Sequence, residues 1–83
     1  MAEARRASLP SARKLLQWGE ARLARAGIGP ARHEAEWILG HVTHRTRLQL
    51  YLDDPFVTRE LIQAYGRLVN RRYQGEPLQY LTG

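Results

Sequence analysis

The side chains with chemistry to offer gather in the middle of the sequence. His33, Glu34, His41 and His44 are zinc-ligating residue types, and His41 and His44, three apart, share a helix face. A catalytic zinc site needs three ligands converging on an open position. No HExxH motif and no cysteine occurs, and a third ligand is poorly placed, so these read as helix-surface histidines. Glu34 and Glu36 lie two apart, hence about 200° apart around a helix, and do not form an acid–base pair. Asp53-Asp54 precedes Pro55 and reads as a helix-terminating loop rather than a dyad. Both serines, Ser8 and Ser11, fall in the tail or at the first helix cap, so no Ser-His-Asp set can be argued. What remains is cationic charge. Twelve of thirteen basic residues are arginine and the net charge is +5. Such an excess suits nucleic acid, an acidic protein surface or simply a solvated basic face. Arg45, Arg47, Arg71 and Arg72 would form one patch if the third helix packs near the end of the fourth. The alternative is scattered solvated arginines, with Arg71 and Arg72 complementing a helix dipole.

The elements that must position these groups are helical. The longest pattern runs from Thr58, an N-cap, with Leu61, Ala64, Tyr65, Leu68 and Val69 on one apolar stripe. Arg59, Gln63, Arg67 and Asn70 lie away from that stripe. Gly75 supplies a left-handed C′ residue and Pro77 opposes continuation. Gly66, inside this helix, costs about 1 kcal/mol relative to alanine and reads as a point where another helix approaches closely. Earlier in the chain, Ser8 or Ser11 caps a first helix whose buried stripe is Ala12, Leu15, Leu16, Gly19 and Leu23, with Trp18 on the flank. Gly27-Ile28-Gly29-Pro30 is a tight connector that tucks Ile28 inward. It lacks the preceding strand and the glycine spacing of a phosphate loop. A second helix starts at Pro30, with Ala31, Ala35, Ile38, Leu39 and Val42 as its stripe, and fades near Thr43 or His44. Glu34 and Glu36 put negative charge in its early turns, and Trp37 lies off the stripe. Each tryptophan is either a core-edge residue or an exposed aromatic anchor. Thr46 caps a short third helix, and Phe56 or Val57 leads into the fourth as a hydrophobic staple.

No stretch alternates with period two for long enough to be a strand. The expected fold is all-α, a small antiparallel bundle of four to five helices with no sheet, the fifth a short turn near Pro77–Tyr80. The expected organisation is a flexible tail over 1–10, a helical bundle over 11–75, and the start of a linker over 76–83. Eighty-three residues allow one domain of modest stability. The absence of cysteine removes disulfides and thiolate metal sites, and suits a reducing, cytoplasmic setting. No apolar run approaches the roughly 20 residues of a membrane span, and no apolar segment follows Arg5 and Arg6 as a secretory signal requires.

Two segments are familiar together. One is Pro30-Ala31-Arg32-His33-Glu34-Ala35-Glu36-Trp37-Ile38-Leu39, followed by Val42 and Arg47. The other is Arg71-Arg72-Tyr73-Gln74-Gly75-Glu76-Pro77-Leu78-Gln79-Tyr80-Leu81-Thr82-Gly83. Over roughly residues 12–83 the chain resembles the N-terminal domain of the release-factor glutamine methyltransferases, the HemK/PrmC family. That family shows a P-R-x-D-A-E-x-L-L helix and R-R-x-x-G-E-P-x-x-Y-L-T-G at its domain junction. The sequence departs at Glu34, where aspartate is usual, and at His44, where glycine is frequent. The resemblance implies a parent enzyme that moves a methyl group from S-adenosylmethionine to the glutamine amide of a Gly-Gly-Gln motif in peptide-chain release factors. The family's catalysis lies in a Rossmann-like domain with a glycine-rich loop and an Asn-Pro-Pro-Tyr motif. Neither motif is present, and Asn70 is the only asparagine. The resemblance therefore implies a helical domain that holds no cofactor or catalytic residue and helps dock the release factor. Its expected partners are the release factor and its own C-terminal catalytic domain, with neither membrane nor nucleic acid among them. Arg47, Arg71 and Arg72 are the expected partner-facing residues. A basic nucleic-acid-binding module and a purely structural bundle are the rival readings.

Overall fold

A computed structural model of the chain describes residues 9–82. Residues 1–8, most of the expected tail, lie outside the described residues, as does Ser8 as a candidate cap. Five helices follow one another: α1 Ala12–Arg25, α2 Ala31–Thr43, α3 Arg47–Asp53, α4 Arg59–Tyr73 and α5 Leu78–Thr82. There is no sheet among the described residues, only an isolated bridge between Ser11 and Phe56.

Helix α2 is the hub, packing against each of the other four. Its stripe residues Ala31, Ala35, Ile38 and Leu39 are buried, and they meet the predicted stripe of α1 and Tyr65 and Val69 of α4. Leu16, Leu23, Ile38, Leu39, Leu50, Tyr65 and Val69 are fully buried. Contacts of Arg32 with Glu20 and of Arg72 with Glu34 show that α2 runs antiparallel to both α1 and α4. Helices α1 and α4 therefore run side by side in the same direction. Trp18 meets Tyr65 near their midpoints and Arg22 meets Asn70 and Tyr73 further along.

Most helix ends follow local chemistry. Helix α1 stops in a left-handed Gly27 (φ 80°), whose N–H donates to Ala24 O while Ile28 N–H donates to Leu23 O. That 5→2 and 6→1 pair is a Schellman motif, and it swings Ile28 onto the core. Helix α4 ends the same way at Gly75 (φ 107°), with Gly75 N–H to Arg72 O and Glu76 N–H to Arg71 O. Thr46 and Gln49 form a reciprocal capping box on α3, and Thr58 Oγ1 accepts from Leu61 N on α4. Pro30 stands at the cap of α2 rather than inside it and offers no side-chain bond, and the start of α1 departs further. Ser11 occupies the cap position, but its side chain caps nothing. The free amides of Ala12 and Arg13 are taken instead by Pro55 O at 2.9 Å and Asp54 Oδ1 at 3.0 Å. The loop read as a mere helix breaker thus caps a helix some forty residues before it.

Gly19 is buried with its stripe as expected, but the close approach expected at Gly66 does not occur there. Space around Gly66 is open, so no helix approaches it. The close approach is at Gly19, where an added Cβ would lie on the Tyr65 hydroxyl and 2.9 Å from its Cζ. The stretch from residue 76 onward, expected as the start of a linker, carries α5, which packs on α2 and α4 and buries Leu81.

Candidate docking surface

The site is built on the two carboxylates of α2. Glu34 and Glu36 are both buried, and their 200° separation sends them to opposite sides of the helix. Glu34 receives Arg72 from the last turn of α4, with Nε to Oε1 at 2.6 Å and Nη2 to Oε2 at 3.4 Å. The hydrogen bond to Glu34 raises the Arg72 pKa above its ordinary value, against the opposing effect of burial. Arg72 also donates to Glu76 O at 3.2 Å, and Arg71 reaches the Glu76 carboxylate at 2.7 Å. The Arg-Arg-x-x-Gly-Glu run therefore closes on itself and bolts to α2. Trp37 Nε1 adds a second bolt by donating to Thr82 Oγ1 at 3.0 Å.

On the far side of α2, Glu36 accepts from the Tyr51 hydroxyl and pairs with Arg47 at 3.1 Å and Arg32 at 3.6 Å. Arg32 donates to Tyr51 Oη and to Glu20, and the Tyr51 hydrogen bond is the main reason its pKa is raised. This network ties α1, α2 and α3 together.

The structure divides the arginines singled out from the sequence. Arg47 and Arg71 keep side chains 70% and 48% exposed while holding one carboxylate each. Arg72, at 22%, is turned inward to Glu34. Arg45 pairs with Asp53. The four do not form one patch, because α3 packs on α1 and α2 rather than on α4, and α2 stands between the Arg47 and Arg72 pairs. The histidines divide between two depressions. His33 lines an open concavity of roughly 450 Å³ with Trp37, Arg45 and Arg47, His44 borders a different one beside Arg67, and His41 lines both. Among the described residues no three His, Cys, Asp or Glu side chains are grouped to hold a metal. The Gly27–Gly29 connector does not suit a nucleotide-like cofactor, since the Gly27 and Ile28 amides are spent on the end of α1.

A second concavity, of roughly 390 Å³, runs between α1 and α4. It is lined by Pro10, Leu15, Trp18, Ile62, Gly66 and Asn70. Trp18 is 42% exposed and Trp37 56%, so both indoles reach solvent. Asn70, expected to be wet, is half-buried and accepts from Arg22 at 2.6 Å. Sequence reading missed the burial of Glu34 and Glu36. The signal was present for Glu34, which stands three after Ala31 and four before Ile38, on the apolar face itself.

Among the described residues, five helices without a sheet, their C-terminal segment clamped to the central helix, define a small all-α module. The family model for the PrmC N-terminal domain matches residues 14–83, and the chain belongs to that family. It is 42% identical over 73 residues to the release factor glutamine methyltransferase of Geobacter sulfurreducens, covering 86% of this chain and 25% of that protein. It is 42% identical over 72 residues to the protein of the same name from Chlorobaculum tepidum, covering 84% of this chain and 24% of that one. The chain thus spans about a quarter of the length of the curated relatives it matches. No solved structure matches it.

Proposed function

We propose that this chain is the substrate-docking domain of a cytoplasmic, S-adenosylmethionine-dependent methyltransferase that modifies the Gly-Gly-Gln glutamine of peptide-chain release factors. The observation that carries the reading is the family match through the junction segment, at 42% identity to proteins named for that activity. The junction geometry supports it. Arg72 on Glu34, Arg71 on Glu76 and Trp37 on Thr82 fix the direction in which the backbone leaves the bundle. A bundle held this way positions a bound substrate relative to whatever follows, which a flexible tether would not do. Cofactor and amide chemistry are assigned to the remainder of the longer protein. Arg47 and Arg71 are the partner-facing cations on this reading, and Arg72 is their internal anchor.

The test titrates the isolated chain with a release factor at several salt concentrations, with duplex DNA as control. Saturable binding to the release factor alone is expected. Tighter binding to DNA, with log affinity falling by about 0.9 per contacted phosphate per log unit of salt, would favour the nucleic-acid reading instead. That rival is less well supported, because Arg32, Arg45 and Arg72 are already engaged by the chain's own carboxylates. In the full-length enzyme, Arg47→Ala should raise KM for the release factor with kcat nearly unchanged, the mark of lost ground-state binding.

A further inference from the structure

Of the seven carboxylates among the described residues, six are committed to arginines away from the α1/α4 groove. Glu20 holds Arg32, Glu34 holds Arg72, Glu36 holds Arg47, Asp53 holds Arg45, Asp54 holds Arg13 and Glu76 holds Arg71. The seventh, Glu60, points about 120° around α4 from the mean direction of Ile62, Gly66 and Asn70. The excess positive charge is therefore left on Lys14, Arg22, Arg25, Arg59 and Arg67, none of which forms an ion pair among the described residues. Four of these five flank the α1/α4 groove. Lys14 and Arg25 lie within about 75° of the α1 side that carries Leu15, Trp18 and Arg22, and Arg59 lies about 20° from the groove side of α4. Arg22 stands between two half-exposed rings, 5.9 Å from the Trp18 centroid and 4.9 Å from that of Tyr73. The groove floor between these cations is apolar, and Gly66 leaves it open.

We infer that the groove between α1 and α4 docks one amphipathic helix of an acidic protein partner. Its apolar seam would lie over Leu15, Trp18, Ile62 and Gly66, and its carboxylates would meet Lys14, Arg25 and Arg59. The inference rests on the docking reading above for its biological purpose and adds a second contact surface to the Arg47 and Arg71 face proposed there. An apolar trough with cations on both banks is the complement of such a helix. Nucleic acid fits it less well, because phosphates gain nothing from the trough and Trp18 is tilted against Tyr65 rather than presented as a stacking platform. From Lys14 to Arg25 is about three helical turns, which sets the partner helix at about 12 residues.

The test uses the isolated chain and a synthetic, helix-stabilised peptide of about that length. Its leucine seam is flanked by glutamates, and a second peptide carries lysines instead. Saturable binding of the acidic peptide is expected, with the Trp18 indole resonance shifting and that of Trp37, on another face, staying put. Gly66→Leu fills the trough. A Cβ at Gly66 meets nothing within 4 Å, and circular dichroism checks that the leucine variant keeps its fold. It should weaken the acidic peptide by about tenfold or more, and Arg25→Glu with Arg59→Glu should do the same. Equal binding of acidic and basic peptides, or indifference to Gly66→Leu, overturns the inference. So does duplex DNA that displaces the peptide and is itself indifferent to Gly66→Leu. A release factor that binds the chain while the acidic peptide does not would sink the groove and leave the docking reading standing. The reverse result would sink the release factor as partner and leave the groove.

Discussion

Two glycines in the interiors of parallel helices should respond to the same substitution with opposite sign. Intrinsic propensity alone favours alanine over glycine by about 1 kcal/mol at each position. At Gly66 nothing opposes that gain, since the new methyl enters open space, so Gly66→Ala should stabilise the chain by about 0.5–1 kcal/mol. At Gly19 the methyl overlaps the Tyr65 hydroxyl and sits 2.9 Å from Cζ and 3.3 Å from Cε2 of a fully buried ring. Relief requires moving that ring. Overpacking of this kind costs about 1–3 kcal/mol, and loss of the hydrogen bond from Tyr65 Oη to Ala35 O adds about 1 kcal/mol. Set against the propensity gain, Gly19→Ala should destabilise by about 1–3 kcal/mol. At about 4–8 °C per kcal/mol for a domain of this size, its Tm should fall by roughly 5–20 °C while that of Gly66→Ala rises. Urea unfolding followed by circular dichroism reads both changes. Adding Tyr65→Phe removes the nearest atom and should recover part of the Gly19→Ala loss. If Gly19→Ala is as stable as Gly66→Ala, α1 and α4 do not meet at this point and the packing derived above is wrong.

Further outcomes follow from the helix ends, the buried phenol and the junction pair. Burial raises the Tyr65 pKa, so the folded chain keeps a proton that the unfolded chain loses near pH 10. The Tyr65 contribution to stability should be level with pH below about 10 and decline above it, and Tyr65→Phe should flatten that decline in alkaline urea titrations. His44 ends α2 in the left-handed region at φ 57°, a conformation that costs a non-glycine residue about 1 kcal/mol. His44→Gly should therefore raise the unfolding midpoint by about 0.5–1 kcal/mol equivalent, and a loss would show that the histidine ring has an unrecognised partner. Asp54→Ala frees the Arg13 amide at the start of α1 and should cost about 1 kcal/mol, whereas Ser11→Ala, whose hydroxyl caps nothing, should cost far less. Arg72→Ala strands the buried Glu34 and should destabilise by about 2 kcal/mol, with Glu34→Gln in the same background recovering part of it in chemical unfolding.

Local rules made most of the backbone legible. The α1 stripe, the Thr46 and Thr58 caps and the glycine stops at Gly27 and Gly75 each depend on residues within one or two turns, and each stands in the structure as read. What escaped depends on residues far apart in sequence. Asp53-Asp54 broadcasts a helix end, but nothing local says that Asp54 will cap α1. Gly19 and Gly66 look alike on a helical wheel. Only the return of α4 alongside α1 decides which of them faces a tyrosine. The site was read least well for the same reason. Sequence alone offers Arg72 as a partner-facing cation or as a basic residue that the dipole of a last turn would justify. A carboxylate on the apolar face of another helix changes its role, because a buried charge requires a partner and the partner is then no longer free for anything else. That logic also redirects the search for a binding surface. In a chain where six acids each hold an arginine, net charge says little about where a partner lands. The cations without an acid do, and they border the groove that Gly66 leaves open.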